Sequence, residues 1–539
     1  MKRFPFICFY LSIFLFFLTW LIAGFYYETN DDFAMDYSLR GLVGPPISNF
    51  YICLNGISEV FARLYKLFPG SPFYSAILYL FLLVSVVNIF SLLDKVISGL
   101  VLWKKICLLI LFYYLVLLEN VMYFNFTRVA ILLCASSLLQ IYYVVVEKKG
   151  FVRMLLYTLL LFIGALIRGE AFYLSCLIVL PGILLMEYYR SGKAGNISFQ
   201  LLFTVCIVGI ACQVLIYFLD DPSVTVYINL TTYVTDYNVI DKTKILTDRE
   251  RLYYEGIFQW FFSDGNIFSF THLKGFIDQK SHDFFYFNLN KIIFSLRLFT
   301  DTVVRNYFVF LIMNAGFVFY FLFAQVNKRY LLIFFNTYIW SLLILASLLF
   351  KVEDRVLGPA LAIYTMLNFL IGLKHLDKIL YRQAVIAFLG LLVILYSVKV
   401  IHRVQFSAER KNQNTLALER IREVSASSPY VVATIIGRYF TFLDPFEKYD
   451  SGLGNKLIRL SGWLSVFPEN HQMIKSAAGK DSLVDLFQYC LDNRIPFIAR
   501  ENELDFIRTY FKAFYGKDLR FEESESKNGI VNIYYLKKI

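Results

Sequence analysis

Long apolar runs separated by short polar breaks dominate the chain, at 6–26, 73–93, 106–123, 127–146, 151–167, 170–189, 198–219, 303–325, 329–350, 356–373 and 383–402. Each approaches the roughly 20 residues a helix needs to cross the hydrocarbon of a bilayer. The middles of the runs are nearly free of acids and bases. The pattern predicts a polytopic α-helical membrane protein with about eleven transmembrane helices. The first run follows Lys2 and Arg3, exceeds the usual apolar core of a signal peptide, and ends in Phe25-Tyr26-Tyr27 rather than at small residues. It reads as a retained anchor.

Three stretches break the rhythm. Residues 27–72 open with Glu28-Thr29-Asn30-Asp31-Asp32 and continue into a half-apolar stretch, Ile47 to Leu67, that suits a helix lying in the membrane interface. Residues 220–302 are rich in Tyr, Phe and Asp and are expected to hold one or two more interfacial helices. The tail, 403–539, alternates helix and strand patterns: helices at 408–425, 482–492 and 503–515, strands at 430–436, 495–499, 519–523 and 530–535. That alternation predicts a small α/β domain. The division is thus 1–402, a transmembrane domain carrying the loops 27–72 and 220–302, and 403–539, a C-terminal extracytoplasmic α/β domain.

Composition agrees with the pattern. The 539 residues are 58% hydrophobic and only 17% charged, against about 25% charged in ordinary soluble domains. A net charge of +11 would point to nucleic acid in a soluble protein, but here the cations cluster between apolar runs. With the N-terminus cytoplasmic, one set of connections holds Lys95, Lys104, Lys105, Lys148, Lys149, Arg153, Arg190, Lys193, Lys328, Arg329, Lys374, Lys378 and Arg382. The short turns on the opposite side hold only Arg128, Arg168, Lys351 and Arg355. By the positive-inside rule the former set faces the cytoplasm, which leaves the C-terminus outside. No nucleic-acid footprint is present. Six of the eight cysteines lie in apolar runs and none forms a CxxC pair, so they read as small packing residues.

Candidate chemistry gathers on the outer side. Two adjacent carboxylates, Asp31 and Asp32, so close to lipid are costly unless they bind something. A carboxylate there can act as general base toward a hydroxyl, or help hold a divalent cation; a solvated turn with two acids is the plainer alternative. Arg168-Gly169-Glu170 fills a minimal outer turn, Lys351-Val352-Glu353-Asp354-Arg355 precedes a late span, and Arg128 begins another. Guanidinium groups at this depth suit a phosphate, with pairing to Glu170, Glu353 or Asp354 as the alternative. Asp220-Asp221 before Pro222 reads first as a helix stop. His272 and His282 near Asp278 and Asp283 match no tight metal spacing. Trp260 and the loop tyrosines suit an aromatic belt as well as sugar stacking, and the Asn125, Asn196 and Asn229 tripeptides match glycosylation acceptors by chance.

A first helix, an outer loop that opens on Asn30-Asp31-Asp32 and continues into an interfacial helix, many further spans and an outer tail resemble the GT-C glycosyltransferases. That class includes the protein O-mannosyltransferases, the aminoarabinose transferases of lipid A and the oligosaccharyltransferases. The resemblance implies transfer of a sugar from a polyprenyl-phosphate carrier to a glycan, lipid or protein acceptor outside the membrane. It implies Asp31, with Asp32 beside it, as catalytic base or metal ligand, and Arg168, Arg355 and Arg128 at the lipid phosphate. Glu28, Asn30, Glu170 and Glu353 would support them. The chain departs from the oligosaccharyltransferases in lacking a WWD-like signature. It has no second acid-x-acid motif, so a divalent cation is only a possible cofactor, with Asp31 and Asp220 as the residues to hold it. An envelope polysaccharide polymerase or ligase, a lipid-linked glycan transporter or flippase, and a scaffold whose tail binds a partner are the competing functions. The absence of a eukaryotic retention signal points to a bacterial inner membrane.

Overall fold

The structure, a computed structural model, describes residues 4–42, 45–191, 196–237, 239–282, 289–323, 329–350, 352–376, 383–434, 437–449, 454–524 and 531–538. Lys2, Arg3, Lys193, Asp283, Lys328, Lys351, Lys378 and Arg382 lie outside these residues, as do the ends of the strands expected at 430–436 and 530–535. Among the described residues eight helices are long and apolar enough to cross a membrane, or nine if the bent pair Leu289–Asn306 and Phe308–Leu322 is one span. Two shorter apolar helices, Phe6–Ile22 and Phe151–Ile167, accompany them. The protein is a polytopic helical membrane protein.

The bundle centres on Phe126–Val146, the most enclosed helix together with Asp354–Gly372, each with 83% of its apolar window buried inside the protein. Close approach to it is set by Gly164, whose Cβ would strike the Cys134 sulfur. Three helices are locked by amides: Asn368 Nδ2 donates to Asn314 Oδ1 at 2.8 Å and to Asn336 Oδ1 at 2.9 Å, and Asn314 Nδ2 donates to Thr365 Oγ1 at 2.8 Å. In lipid such buried donors and acceptors must satisfy one another.

Two departures from the sequence pattern have local causes. The run at 303–325 is not one straight span: it begins in the last turn of the polar-faced helix Leu289–Asn306, which meets the apolar Phe308–Leu322 at 93°. Tyr307 sits at the break, buried, its hydroxyl donating to the Asp354 carbonyl at 3.0 Å. The last run does not stop at 402. Gln383–Ala426 is one helix of 44 residues, about 66 Å long, since no Gly or Pro interrupts it between Gly390 and Pro429.

The long segments between spans are more helical than expected. Residues 27–72 hold Asn30–Arg40 as well as Ile57–Leu67, and the stretch at 47–56 is irregular, turning through Tyr51, Leu54 and Gly56 at positive φ. Residues 220–306 hold Pro222–Thr235, Asp248–Phe258, Phe270–Lys280 and Leu289–Asn306.

Short strands make two sheets. Tyr26–Tyr27 (β1) runs parallel to Tyr123–Phe124 (β2). Towards the C-terminus, Val431–Ala433 (β3), Leu457–Arg459 (β4), Phe497–Ile498 (β5), Arg520–Glu523 (β6) and Ile533–Lys537 (β7) form a sheet in the order β4-β3-β5-β7-β6. β4, β3 and β5 are parallel, and β7 is antiparallel to both its neighbours. Helices Pro468–Ala478, Leu483–Asp492 and Glu501–Tyr515 connect them. β4 and the 468–478 helix were not anticipated, because three residues carry no readable alternation.

The 220–302 loop is fastened to this C-terminal region. Ser263 Oγ donates to the Leu460 carbonyl and Ser465 Oγ to the Trp260 carbonyl, both at 2.9 Å, and Arg249 Nη2 donates to the Ala513 carbonyl at 2.7 Å. At the centre, fully buried Asp264 accepts from the Tyr510 hydroxyl at 2.8 Å and the Tyr515 hydroxyl at 2.5 Å. Replacing Asp264 with Ala strands both hydroxyls, at a cost of about 1–3 kcal/mol. The expected outcome is faster proteolytic cleavage between Asp248 and Lys280 in nanodisc-embedded protein, while the spanning helices stay protected; an unchanged cleavage rate would show that Asp264 does not hold the loop.

Candidate active site

One corner of the bundle is built on β1. After the first helix the chain turns through Gly24, whose φ of 80° and the closeness of the Tyr26 ring leave no room for a side chain. β1 then lies between two partners. Glu28 N–H donates to the Phe124 carbonyl at 2.9 Å on one side; on the other, Tyr27 N–H donates to the Leu443 carbonyl at 2.9 Å and Phe442 N–H to the Tyr27 carbonyl at 2.8 Å. Glu28 and the helix that follows are thereby fixed to two distant parts of the chain.

That helix, Asn30–Arg40, carries Asp31 and Asp32 in its first turn, where carboxylates favour the positive end of the helix dipole. Its C-terminus closes on Gly41 at φ 69°. Asn30 packs so closely on Gly437 that a Cβ there would overlap its amide. Further along, Phe33 packs on Phe440 with ring centroids 4.5 Å apart, and the Tyr37 hydroxyl donates to the Tyr449 carbonyl at 2.5 Å. Beneath it, buried Asp36 takes a bidentate bond from Arg40 at 3.1 and 2.7 Å and further bonds from the Tyr65 and Tyr27 hydroxyls.

The two acids point to different fates. Asp31 is partly exposed and ion-paired with Arg355 at 2.5 Å. Asp32 is fully buried. Its Oδ1 accepts from the Tyr74 hydroxyl at 2.8 Å and Phe126 N–H at 3.0 Å; its Oδ2 accepts from Asn125 Nδ2 at 2.8 Å and Thr29 Oγ1 at 3.3 Å. Both oxygens are bonded. Expected from sequence beside Asp31 as a catalytic group, Asp32 is placed here as an anchor that pins the helix start to the Phe126–Val146 helix.

The arginines divide similarly. Arg128, fully buried, meets Glu28 through both oxygens, with Nε at 2.7 Å, and gives Nη1 to Asn120 at 2.8 Å. Gly358 leaves the space it occupies, since a Cβ there would lie 2.6 Å from Nη1. Arg128, expected from sequence at a lipid phosphate, is thus held by Glu28 and Asn120. Arg168 reaches the Asn125–Thr127 corner, with Nη1 3.3 Å from Thr127 Oγ1, its guanidinium 5.4 Å from the Phe126 ring centroid and exposed Glu170 at 3.4 Å. It does not line the cavity described next.

A cavity of about 500 Å³ opens at this corner. One wall is Glu28, Thr29, Glu353, Asp354 and Arg355; the other is His402, Arg403 and Phe406 on the long helix, with Tyr123, Asn306 and Phe442 between. Asp354 accepts from Asn306 Nδ2 at 3.1 Å. Lys399, one turn before Arg403, bonds to Glu119 and to the Asn306 carbonyl. His402 and Arg403 went unnoticed in the sequence, where they look like the edge of a span. The signal was there: Lys399, His402, Arg403 and Phe406 recur at i, i+3, i+4 and i+7, one face of a helix.

Among the described residues no three His, Cys, Asp or Glu side chains gather to hold a metal ion. Asp220 is bonded to Thr225, and His282 pairs with Asp241 at 3.4 Å. Asp31 and Asp220 do not form a ligand set.

Comparison with known proteins is silent. No family model matches the chain, and neither does any curated protein or solved structure. The chemistry available at the corner is that of its side chains: a carboxylate ion-paired with a guanidinium, beside a headgroup-sized cavity with Glu28, Glu353, Asp354 and Arg355 on one wall and His402 and Arg403 on the other.

Burial pushes the Asp32 carboxyl up to about 7, against the bonds from Tyr74 and the Phe126 N–H. The folded chain then holds this proton over a range, about pH 4 to 7, in which the unfolded carboxyl has lost it, so Asp32 lowers stability as pH rises through that window. Asp32→Asn removes the titration. The expected result is a thermal midpoint that falls less between pH 4 and 7 in the variant than in wild type; identical slopes would contradict it.

Proposed function

We propose that this chain is a glycosyltransferase of the bacterial inner membrane, moving a sugar from a polyprenyl-phosphate carrier to an acceptor hydroxyl on the extracytoplasmic side. The observation that carries it is the Asp31–Arg355 pair at the edge of a polar cavity where apolar helices end. A GT-C-like architecture of eleven crossings accounts for the layout: the eight long helices, the bent pair and the two shorter helices together supply that number. Glu28, Asn125, Arg168, Asn306, Arg355 and Arg403 all belong to the same outer corner, as successive pairs of crossings require. Ion pairs Lys105–Asp94, Lys95–Glu147 and Arg190–Glu187 occupy the connections assigned to the cytoplasm. The 403–539 region is then an extracytoplasmic α/β domain that buttresses the corner and the 220–302 loop.

In this scheme the acceptor oxygen attacks the anomeric carbon of the donor as the bond from that carbon to the phosphate oxygen breaks. The bonding pair leaves on the phosphate, which passes from diester to monoester, and the acceptor proton goes to the Asp31 carboxylate. Arg355, ion-paired with Asp31, holds that carboxylate in place. Because phosphate leaves readily, positioning and a weak base suffice.

Asp31→Asn keeps the shape and removes the base. In cells producing the variant at wild-type level, mass spectrometry of lipid extracts is expected to show a polyprenyl-phosphate sugar accumulating, with transfer slowed about 100-fold or more. Wild-type levels of that lipid in both the variant and a deletion strain would sink the transferase function.

A further inference from the structure

The guanidiniums expected from sequence at the donor phosphate are already taken by carboxylates or lie off the cavity. Arg128 is bidentate on Glu28, Arg355 is on Asp31, and Arg168 sits by Thr127 and Glu170. Arg403 differs. It lines the cavity, its carboxylate partner Glu119 lies 3.9 Å away, beyond hydrogen-bonding distance, and that carboxylate is held by Lys399. The guanidinium stands over the Tyr123 ring, 5.5 Å from its centroid. Exposed His402 lies beside it on the same wall.

We infer that Arg403, assisted by His402, binds the phosphate of the lipid-linked donor, an assignment that rests on the transferase function proposed above. Charge complementarity orients the donor: phosphate on the Arg403 wall, sugar hydroxyls toward Glu353 and Asp354 on the wall opposite. The phosphate gains one negative charge as the sugar leaves, and a guanidinium not neutralised at close range is the group best able to balance it. Phe406 lies one turn further along the same face, and the apolar part of this helix, below His402, leads into the membrane.

The test uses full-length protein in lipid nanodiscs, with farnesyl phosphate, farnesol and inorganic phosphate as probes in a binding titration. Wild type is expected to bind farnesyl phosphate at least about tenfold more tightly than either of the others. Arg403→Gln should lose about tenfold of that affinity, Arg403→Lys less, His402→Gln several-fold, and Arg168→Gln little. Thermal midpoints within a few degrees of wild type verify folding, and Arg403→Lys carries the test if Arg403→Gln does not fold. Farnesyl phosphate binding that survives a variant carrying both Arg403→Gln and His402→Gln, or is lost equally in Arg168→Gln, overturns the assignment and leaves the transferase function standing. Inorganic phosphate binding as tightly as farnesyl phosphate identifies a free-anion site and overturns the lipid assignment. A wild type indifferent between farnesyl phosphate and farnesol overturns both.

Discussion

A salt bridge between Asp31 and Arg355, 324 residues apart in the chain, is the contact around which this protein is organised. Removing two charges from water costs several kcal/mol unless each meets the other with good geometry. The start of the Asn30–Arg40 helix and the start of the Asp354–Leu376 helix must therefore arrive together. Much of this corner serves that end. β1 is sandwiched between 123–124 and 442–443, Asp32 is bound on both oxygens, and Glu28 closes over Arg128 under Gly358. Neighbouring acids thus divide the labour: Asp32 holds position and Asp31 pairs with Arg355, which lines the cavity.

The arrangement also solves a membrane problem. Charged side chains near lipid must pair or face a polar cavity, and here they do both. At one end of the bundle Lys105 meets Asp94 and Lys95 meets Glu147. At the other, acids and bases line a cavity instead of cancelling completely. Within the spans, the Asn314–Asn336–Asn368 cluster is uncharged and satisfies itself. Polar atoms in the lipid zone lock helices, and reactive charge is confined to the boundary.

The long helices were legible because the lipid demands apolar runs of a length that soluble cores do not. The gathering of Asp31 with Arg355 was legible too, since unpaired charges at membrane depth have few other solutions. What was hidden depends on contacts between distant segments. The Asn30–Arg40 helix looks like a polar turn until Phe33 and Tyr37 are seen packing on Phe440 and Tyr449. Asp32 and Arg128 look as available as Asp31 and Arg355, and only their buried partners set them apart. The 93° break at Tyr307 falls inside a continuous apolar run. His402 and Arg403 were obscured because a span ending in cations reads as a membrane anchor, whereas the helix continues and presents them to a cavity.

The central claim is energetic coupling between Asp31 and Arg355, and a double-mutant cycle measures it most directly. Asp31→Asn, Arg355→Gln and the pair together are compared with wild type by thermal unfolding in nanodiscs. If the salt bridge organises the corner, the double variant is no less stable than the worse single one, with a coupling of about 1–3 kcal/mol. Effects that add to within about 0.5 kcal/mol would mean that the two side chains act independently, and the account would fail at its base.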